Sequence, residues 1–262
     1  MEVEQSRCNK SRAYPVLLLM KITHRTLPGD RLAIYRHPLV VRLTHWTNAL
    51  CLLVLVTSGL QILNAHPALY WGESSTFAQP WLAFGGRPFP RWLTLPPWQD
   101  LASGRRWHFF FAWVFVLNGL LYLMYAMASG RVRQLLLPTG TQLAHIGGSI
   151  IDHLRLRFPS AELARGYNVL QQLSYLTVLF VLLPLMFLTG LTMSPGMDAR
   201  LHFLTPLFGG RQSARTLHFL TAALLALFFV IHIAAVLAAG PLREVRSMLT
   251  GWLVVKAPRE GS

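Results

Sequence analysis

Two histidines, His218 and His232, stand fourteen residues apart inside an apolar run covering residues 217–239. At about 1.5 Å rise and 100° per residue, that spacing puts both imidazoles on nearly one face of a helix, roughly 21 Å apart. An imidazole at such a depth is costly unless it is ligated or hydrogen-bonded, so each is a candidate functional group. Two stacked ligands of this kind invite two stacked cofactors.

The element that carries them is read as a membrane helix. The chain has 262 residues, of which 53% are hydrophobic and 13% charged, well below the charged share of a soluble domain. Four runs are long enough to cross about 30 Å of hydrocarbon, at residues 43–63, 107–127, 170–192 and 216–239. Lipid leaves backbone groups no partner outside the segment, so all four are expected to be helices.

The net charge of +14 does not point to nucleic acid, because the basic residues lie between spans without aromatic platforms or a binding motif. Membrane topology accounts for them better. Alternate segments, beginning with the N-terminal one, hold 17 lysines and arginines against 7 in the others, so both termini are expected in the cytoplasm. Arg105 and Arg106, at the start of span two, narrow that margin. Cys8 in the tail and Cys51 in span one suggest neither a disulfide framework nor a thiolate metal site. Residues 1–34 read as a flexible cytoplasmic tail, since the apolar piece from Tyr14 to Met20 is too short to span and lacks a cleavage site. The membrane domain is expected over 35–252, with a cytoplasmic tail at 253–262.

Span one opens with Arg42-Leu43-Thr44-His45-Trp46, which places His45 about seven residues into the helix. Residues 64–104 carry Trp71, Trp81, Trp92 and Trp98 with several prolines, and are expected to form an ordered cap on the outer surface, able to dock a partner or to shield what lies beneath. Span two begins Arg105-Arg106-Trp107-His108. His37, His145 and His153 fall in interfacial or polar basic segments, where headgroup or solvent contacts suffice. Span three has no histidine; Pro184 is expected to kink it and Gly190 to mark its outer end. After span four, Gly240-Pro241 ends the helix, and Arg243, Arg246 and Trp252 suggest a short interfacial helix.

Alternating helix direction sorts the four histidines within spans by depth. His45 and His232 share an inner level, while His108 and His218 share an outer one. Two levels with two imidazoles each is the pattern of two bis-histidine haems. Zinc needs three or four protein ligands, and no carboxylate or cysteine cluster within the spans supplies them, whereas a porphyrin brings four nitrogens of its own. Gly59 and Gly119 would leave room for a macrocycle, although glycines in membrane helices also serve plain packing. A six-coordinate haem favours electron transfer over oxygen binding. A proton relay remains an alternative use of the histidines, but the spans contain no acidic residue.

With these residues in hand, the sequence resembles the bacterial cytochrome b561 family, which includes the di-haem membrane subunits of formate dehydrogenases, nickel-iron hydrogenases and thiosulfate reductases. The likeness runs over about residues 35–252. Arg42 to Trp46 looks like that family's first-helix signature, and Tyr167-Asn168 with Gln171 looks like its motif before helix three. The resemblance implies an all-α four-transmembrane-helix bundle binding two haems b, His45 with His232 at the inner one and His108 with His218 at the outer. It also implies a quinone pocket at Asn168 and Gln171, beside His232. The chain departs from the family at Leu170 and Gln172, where glycine and lysine are common, and Asn168 has an alternative role as a helix cap. The segment from Asn64 to Gly72 further resembles a subgroup often encoded beside a molybdopterin oxidoreductase.

The expected protein is thus a multi-pass subunit of the bacterial inner membrane, serving a respiratory chain. It would move electrons between quinone and a periplasmic molybdopterin-type oxidoreductase, with Arg42, Arg105 and Arg106 pairing haem propionates. Two other readings remain: a stand-alone quinone reductase that oxidises superoxide or another small donor, and a haem-free anchor or transporter.

Overall fold

The computed structural model describes residues 23–29, 31–76, 79–132, 137–144, 146–154 and 169–256. In chain order the elements are strands β1 (His24–Leu27) and β2 (Arg31–Tyr35), helix α1 (Leu39–Ala65), strands β3 (Ala68–Leu69) and β4 (Leu82–Ala83), and helix α2 (Leu101–Ala128). Short helices α3 (Gly140–Ala144) and α4 (Ile146–Leu154) follow, then α5 (Val169–Met193), α6 (Pro195–Asp198), α7 (Leu204–Leu207), α8 (Arg211–Ala239), α9 (Pro241–Thr250) and strand β5 (Trp252–Lys256). Helices α1, α2, α5 and α8 are long and apolar enough to cross a membrane, and they contain the four runs expected from sequence.

The chain divides into two compact units: one takes in the described residues up to Arg42 and from Val236 onward, the other runs from Leu43 to Ala235. In the larger unit the usual distribution of side chains is reversed. Leu53, Leu117, Leu224 and Val230 face outward, while Thr44, Ser58, Thr189, Thr192, Thr216 and Thr221 are buried between helices. Hydrocarbon solvates leucine as well as another helix does, so close packing of small residues and their hydrogen bonds holds such a bundle together. Ser58, Thr189 and Thr221 return their hydroxyl protons to carbonyls one turn back, which keeps the buried oxygens satisfied.

Local signals account for the helix boundaries. Asp100 caps α2, its carboxylate accepting from the Ser103 amide at 2.7 Å. Hydrogen bonds from the Ser103 side chain and amide hold the Asp100 carboxyl below its usual range. Pro184 does not simply bend span three. It lacks an amide donor and its ring crowds the carbonyl four residues back, and the helix answers with a π-helical stretch over Val178–Leu182. Gly240-Pro241 ends α8 as expected, and α9 carries Leu242 and Leu249 on an exposed apolar face. Trp252, expected within that interfacial helix, instead opens β5.

The smaller unit departs from expectation. Residues 24–35, of which 24–34 were read from the sequence as part of a flexible tail, form a hairpin that continues into a three-stranded antiparallel sheet of order β1-β2-β5. Arg31 pairs with Lys256 and Tyr35 with Trp252. Leu32 and Ile34 are buried against Val255, and the Arg25 guanidinium lies 4.6 Å over the Trp252 ring. Alternating residues in Arg31–Tyr35 were the available signal, but the strand is short and its partner lies more than 200 residues away. Gly251 joins α9 to β5 at a φ of +88°, and its carbonyl accepts the Arg36 and His37 amides. The small sheet therefore brings both ends of the described chain together.

Candidate functional site

The four span histidines meet in two pairs. His45, early in α1, faces His232, late in α8, with ring centroids 6.3 Å apart. His108, early in α2, faces His218, early in α8, also at 6.3 Å. The pairing makes α1 antiparallel to α8 and α2 parallel to it, as alternate crossings demand. An imidazole nitrogen bonds a metal at about 2 Å, so two such bonds in line, with half a ring on either side, separate centroids by about 6 Å. Both separations match that spacing. Among the described residues no three His, Cys, Asp or Glu side chains converge, so a metal at either pair would bring its remaining ligands with it.

The pairs differ in what holds the rings. His108 Nδ1 lies 3.0 Å from Ser58 Oγ of α1, and His218 Nδ1 lies 3.0 Å from Thr189 Oγ1 of α5. Beside each hydroxyl is a glycine closely overlain by the same ring. A Cβ at Gly59 would stand 3.5 Å from His108 Cε1, and one at Gly190 would stand 3.4 Å from His218 Cε1. Gly59, expected to leave room for a macrocycle, lies against His108, and Gly190, expected to mark the outer end of span three, lies near its end at Met193 and against His218. A Cβ at Gly119 would meet nothing within 4 Å.

At the other level the His45 Nδ1 is buried without a hydrogen-bond partner. The backbone beside it is fixed from α2, where the Asn118 amide donates to the Thr44 carbonyl at 2.8 Å and to Asn48 Oδ1 at 2.7 Å. Sequence reading missed this clamp, although an Asn in an apolar run was the signal for it. Asn118→Leu should lower stability in detergent by about 1 kcal/mol, the scale of interhelical hydrogen bonds in membranes. Thermal melts of the two proteins check this. His232 stacks on Phe228 at 6.2 Å and 19°, and Phe228 meets Tyr175 of α5 edge-on at 6.2 Å. Gln171 lies one helical turn before Tyr175 and is half-buried, so an aromatic path runs from its face of α5 to His232. Asn168, its companion in the sequence motif, lies outside the described residues. Gln172, one of the departures from the family pattern, is buried.

The three arginines differ among themselves. Arg42 donates to the Leu249 carbonyl through Nη1, while its Nε is buried without a partner. Arg105 and Arg106 are exposed, and the Arg105 guanidinium lies 5.6 Å over the Phe109 ring.

The cap is ordered and sewn to the bundle. Asn64, at the end of α1, exchanges two hydrogen bonds with Phe89, donating to its carbonyl at 2.9 Å and accepting its amide at 3.0 Å. The start of α8 holds the Gly72 turn: Ser213 Oγ accepts the Gly72 amide at 2.8 Å, and the Gly72 carbonyl accepts the amides of Gln212 and Ser213. Thr216 Oγ1 donates to the Tyr70 carbonyl at 2.7 Å, and Arg215 to the His66 carbonyl. Trp71 and Trp81 pack edge to face, whereas Trp92 and Trp98 are 80% and 70% exposed.

Four membrane-crossing helices with two facing imidazole pairs define a multi-pass membrane protein of the cytochrome b type. Residues 36–251 match the model of the prokaryotic cytochrome b561 family, and the chain belongs to that family of membrane electron-transfer subunits. Membership implies b-type haem. The chain is 30% identical over 202 residues to a protein of Azospira oryzae assigned by name as a protein-methionine-sulfoxide reductase subunit, YedZ1, covering 76% of this chain and 89% of the relative. It is 25% identical over 238 residues to a protein of Cupriavidus necator assigned by name as a Ni/Fe-hydrogenase B-type cytochrome subunit, covering 86% of this chain and 88% of the relative. No solved structure gives a significant match.

Proposed function

We propose that this chain moves electrons between the quinone pool and a periplasmic redox enzyme through two b haems, one held by His45 and His232 and the other by His108 and His218. The observation that carries the reading is the pair of 6.3 Å imidazole separations at two depths of one bundle. Haem held there would supply one-electron exchange at iron, and two histidines at each haem would leave little room for a small ligand. The histidines orient and retain it, and the lipid-facing leucines exclude water. The inner membrane is the setting, with both termini cytoplasmic, a placement supported by the 17 to 7 division of basic residues. That orientation puts the His45 level on the inner side and the cap on the periplasmic side.

Quinone is assigned to the inner level, at Asn168 and Gln171. The path from the Gln171 face through Tyr175 and Phe228 to His232 supports it. Gln171→Leu should raise the KM for a quinol analogue about tenfold without changing haem content, because a site built for a polar group is penalised when one partner is lost. Steady-state haem reduction by the analogue measures this. Arg42, Arg105 and Arg106 are assigned to propionates, with Arg42 dividing its donors between that role and Leu249.

A partner redox enzyme is supported by the two relatives, both named as subunits of larger oxidoreductases. The molybdopterin type rests on the likeness of residues 64–72 to the subgroup described above. Its docking face is the cap around Trp92 and Trp98, and replacing both with alanine should weaken capture of the partner at least about tenfold. The haem spectrum should stay unchanged. Co-purification at native expression tests the assignment: a soluble molybdenum-containing redox subunit is expected, and recovery of the cytochrome alone would remove the partner.

A further inference from the structure

Two dipeptides in different helices stand in the same relation to an imidazole. Ser58-Gly59 of α1 seats His108, and Thr189-Gly190 of α5 seats His218. Both hydroxyl residues are fully buried. A hydroxyl has one proton to give. Ser58 Oγ lies 2.6 Å from the Val54 carbonyl and Thr189 Oγ1 lies 2.7 Å from the Leu185 carbonyl; a carbonyl can only accept, so each proton is spent there. The remaining contact of each hydroxyl, at 3.0 Å to Nδ1, therefore runs from the ring N–H to the hydroxyl oxygen. That fixes the proton on Nδ1 and leaves the Nε2 lone pair of both rings free for a metal. The adjacent glycine lies against the same ring, where even a Cβ would already be in van der Waals contact with Cε1.

The other pair has no equivalent on His45, whose buried Nδ1 lacks an acceptor. We propose that Ser58 and Thr189 are positioning residues that lock His108 and His218 in the ligating tautomer, and that they set the haem held there at a lower potential than the haem held at His45 and His232. An N–H donating to an oxygen makes the imidazole a more basic ligand, and a more basic axial ligand stabilises ferric iron. This inference rests on the di-haem reading given above.

Potentiometric titration of the purified, haem-loaded full chain, followed optically, tests it with the variants Ser58→Ala, Thr189→Val and Thr189→Ser. Thr189→Val preserves volume and removes the hydroxyl acceptor, leaving only the Met186 carbonyl to the ring N–H, whereas Thr189→Ser preserves the hydroxyl. The lower-potential component should move positive in Ser58→Ala and in Thr189→Val by about 59 mV or more, a tenfold change for a one-electron couple. The other component should stay in place, and Thr189→Ser should titrate as wild type. Loss of that haem from Thr189→Val with its retention in Thr189→Ser would support the same assignment through occupancy. Unmoved components in Thr189→Val with both haems bound, equal movement of both components, or a Thr189→Ser variant that shifts as far as Thr189→Val would overturn the inference alone. A wild-type protein without two b-type components would overturn the di-haem reading and this inference with it.

Discussion

His232→Ala is expected to leave a protein with one b-type haem in place of two, and His218→Ala to leave the other one. The two residues share a helix, so a general effect of damaging α8 would look alike in both variants. Their partners do not: His232 faces His45 of α1, and His218 faces His108 of α2. Removing one imidazole of a pair would cut the attachment of a haem held there by half, while the remaining pair is untouched. Haem content should fall to about half in each variant, since ligation by a single side chain seldom retains a cofactor through purification. The redox components that survive should differ between the two, and His45→Ala should reproduce the His232→Ala spectrum, His108→Ala that of His218→Ala. Loss of the same component from His218→Ala and His232→Ala would refute the pairing.

Gly210→Ala is expected to be the most damaging substitution outside the histidines. Gly210 adopts a φ of +107°, and a Cβ there would stand 2.5 Å from the carbonyl carbon and oxygen of Gly72 and 2.6 Å from the Glu73 amide nitrogen. No flexible side chain can move aside, because all three atoms are backbone. The conformational penalty and the overlap together cost on the order of 3 kcal/mol or more. The overlap also falls on the turn whose amide and carbonyl bond to Ser213 and Gln212, so the cap would keep only the Thr216–Tyr70 and Arg215–His66 bonds to the start of α8. Faster proteolysis within residues 64–104 and a lower melting temperature are the expected readouts, with the haem spectrum retained. An unchanged melting temperature would show that the cap is held elsewhere.

Much of the bundle was legible because lipid is an undemanding solvent to read. A run such as 216–239 has to be a helix, and alternate crossing directions then place His45 level with His232 and His108 level with His218. Side-chain seats were less legible. Ser58 and Thr189 look like ordinary small residues of membrane helices, and nothing in their own sequence neighbourhoods says that an imidazole from another helix rests on them. Asn118 could have been singled out as a polar residue deep in an apolar run, but its partners, Thr44 and Asn48, depend on how α1 and α2 pack. The hairpin at residues 24–35 was missed for a different reason. Its stability comes from β5 at the far end of the chain, and pairing at that separation leaves no local trace beyond a few alternating residues. Arg42 shows the same limit, since a cation at the edge of a span suggests an anionic partner, and its bond to the Leu249 carbonyl depends on that distant packing.

We propose that one chain holds two b haems between two histidine pairs. Haem extracted from the purified protein, quantified against polypeptide and accompanied by a redox titration, measures it most directly. Two haems b per chain and two titrating components are expected. One haem per chain with a single component, or no b-type band in the reduced-minus-oxidised spectrum, would contradict that proposal.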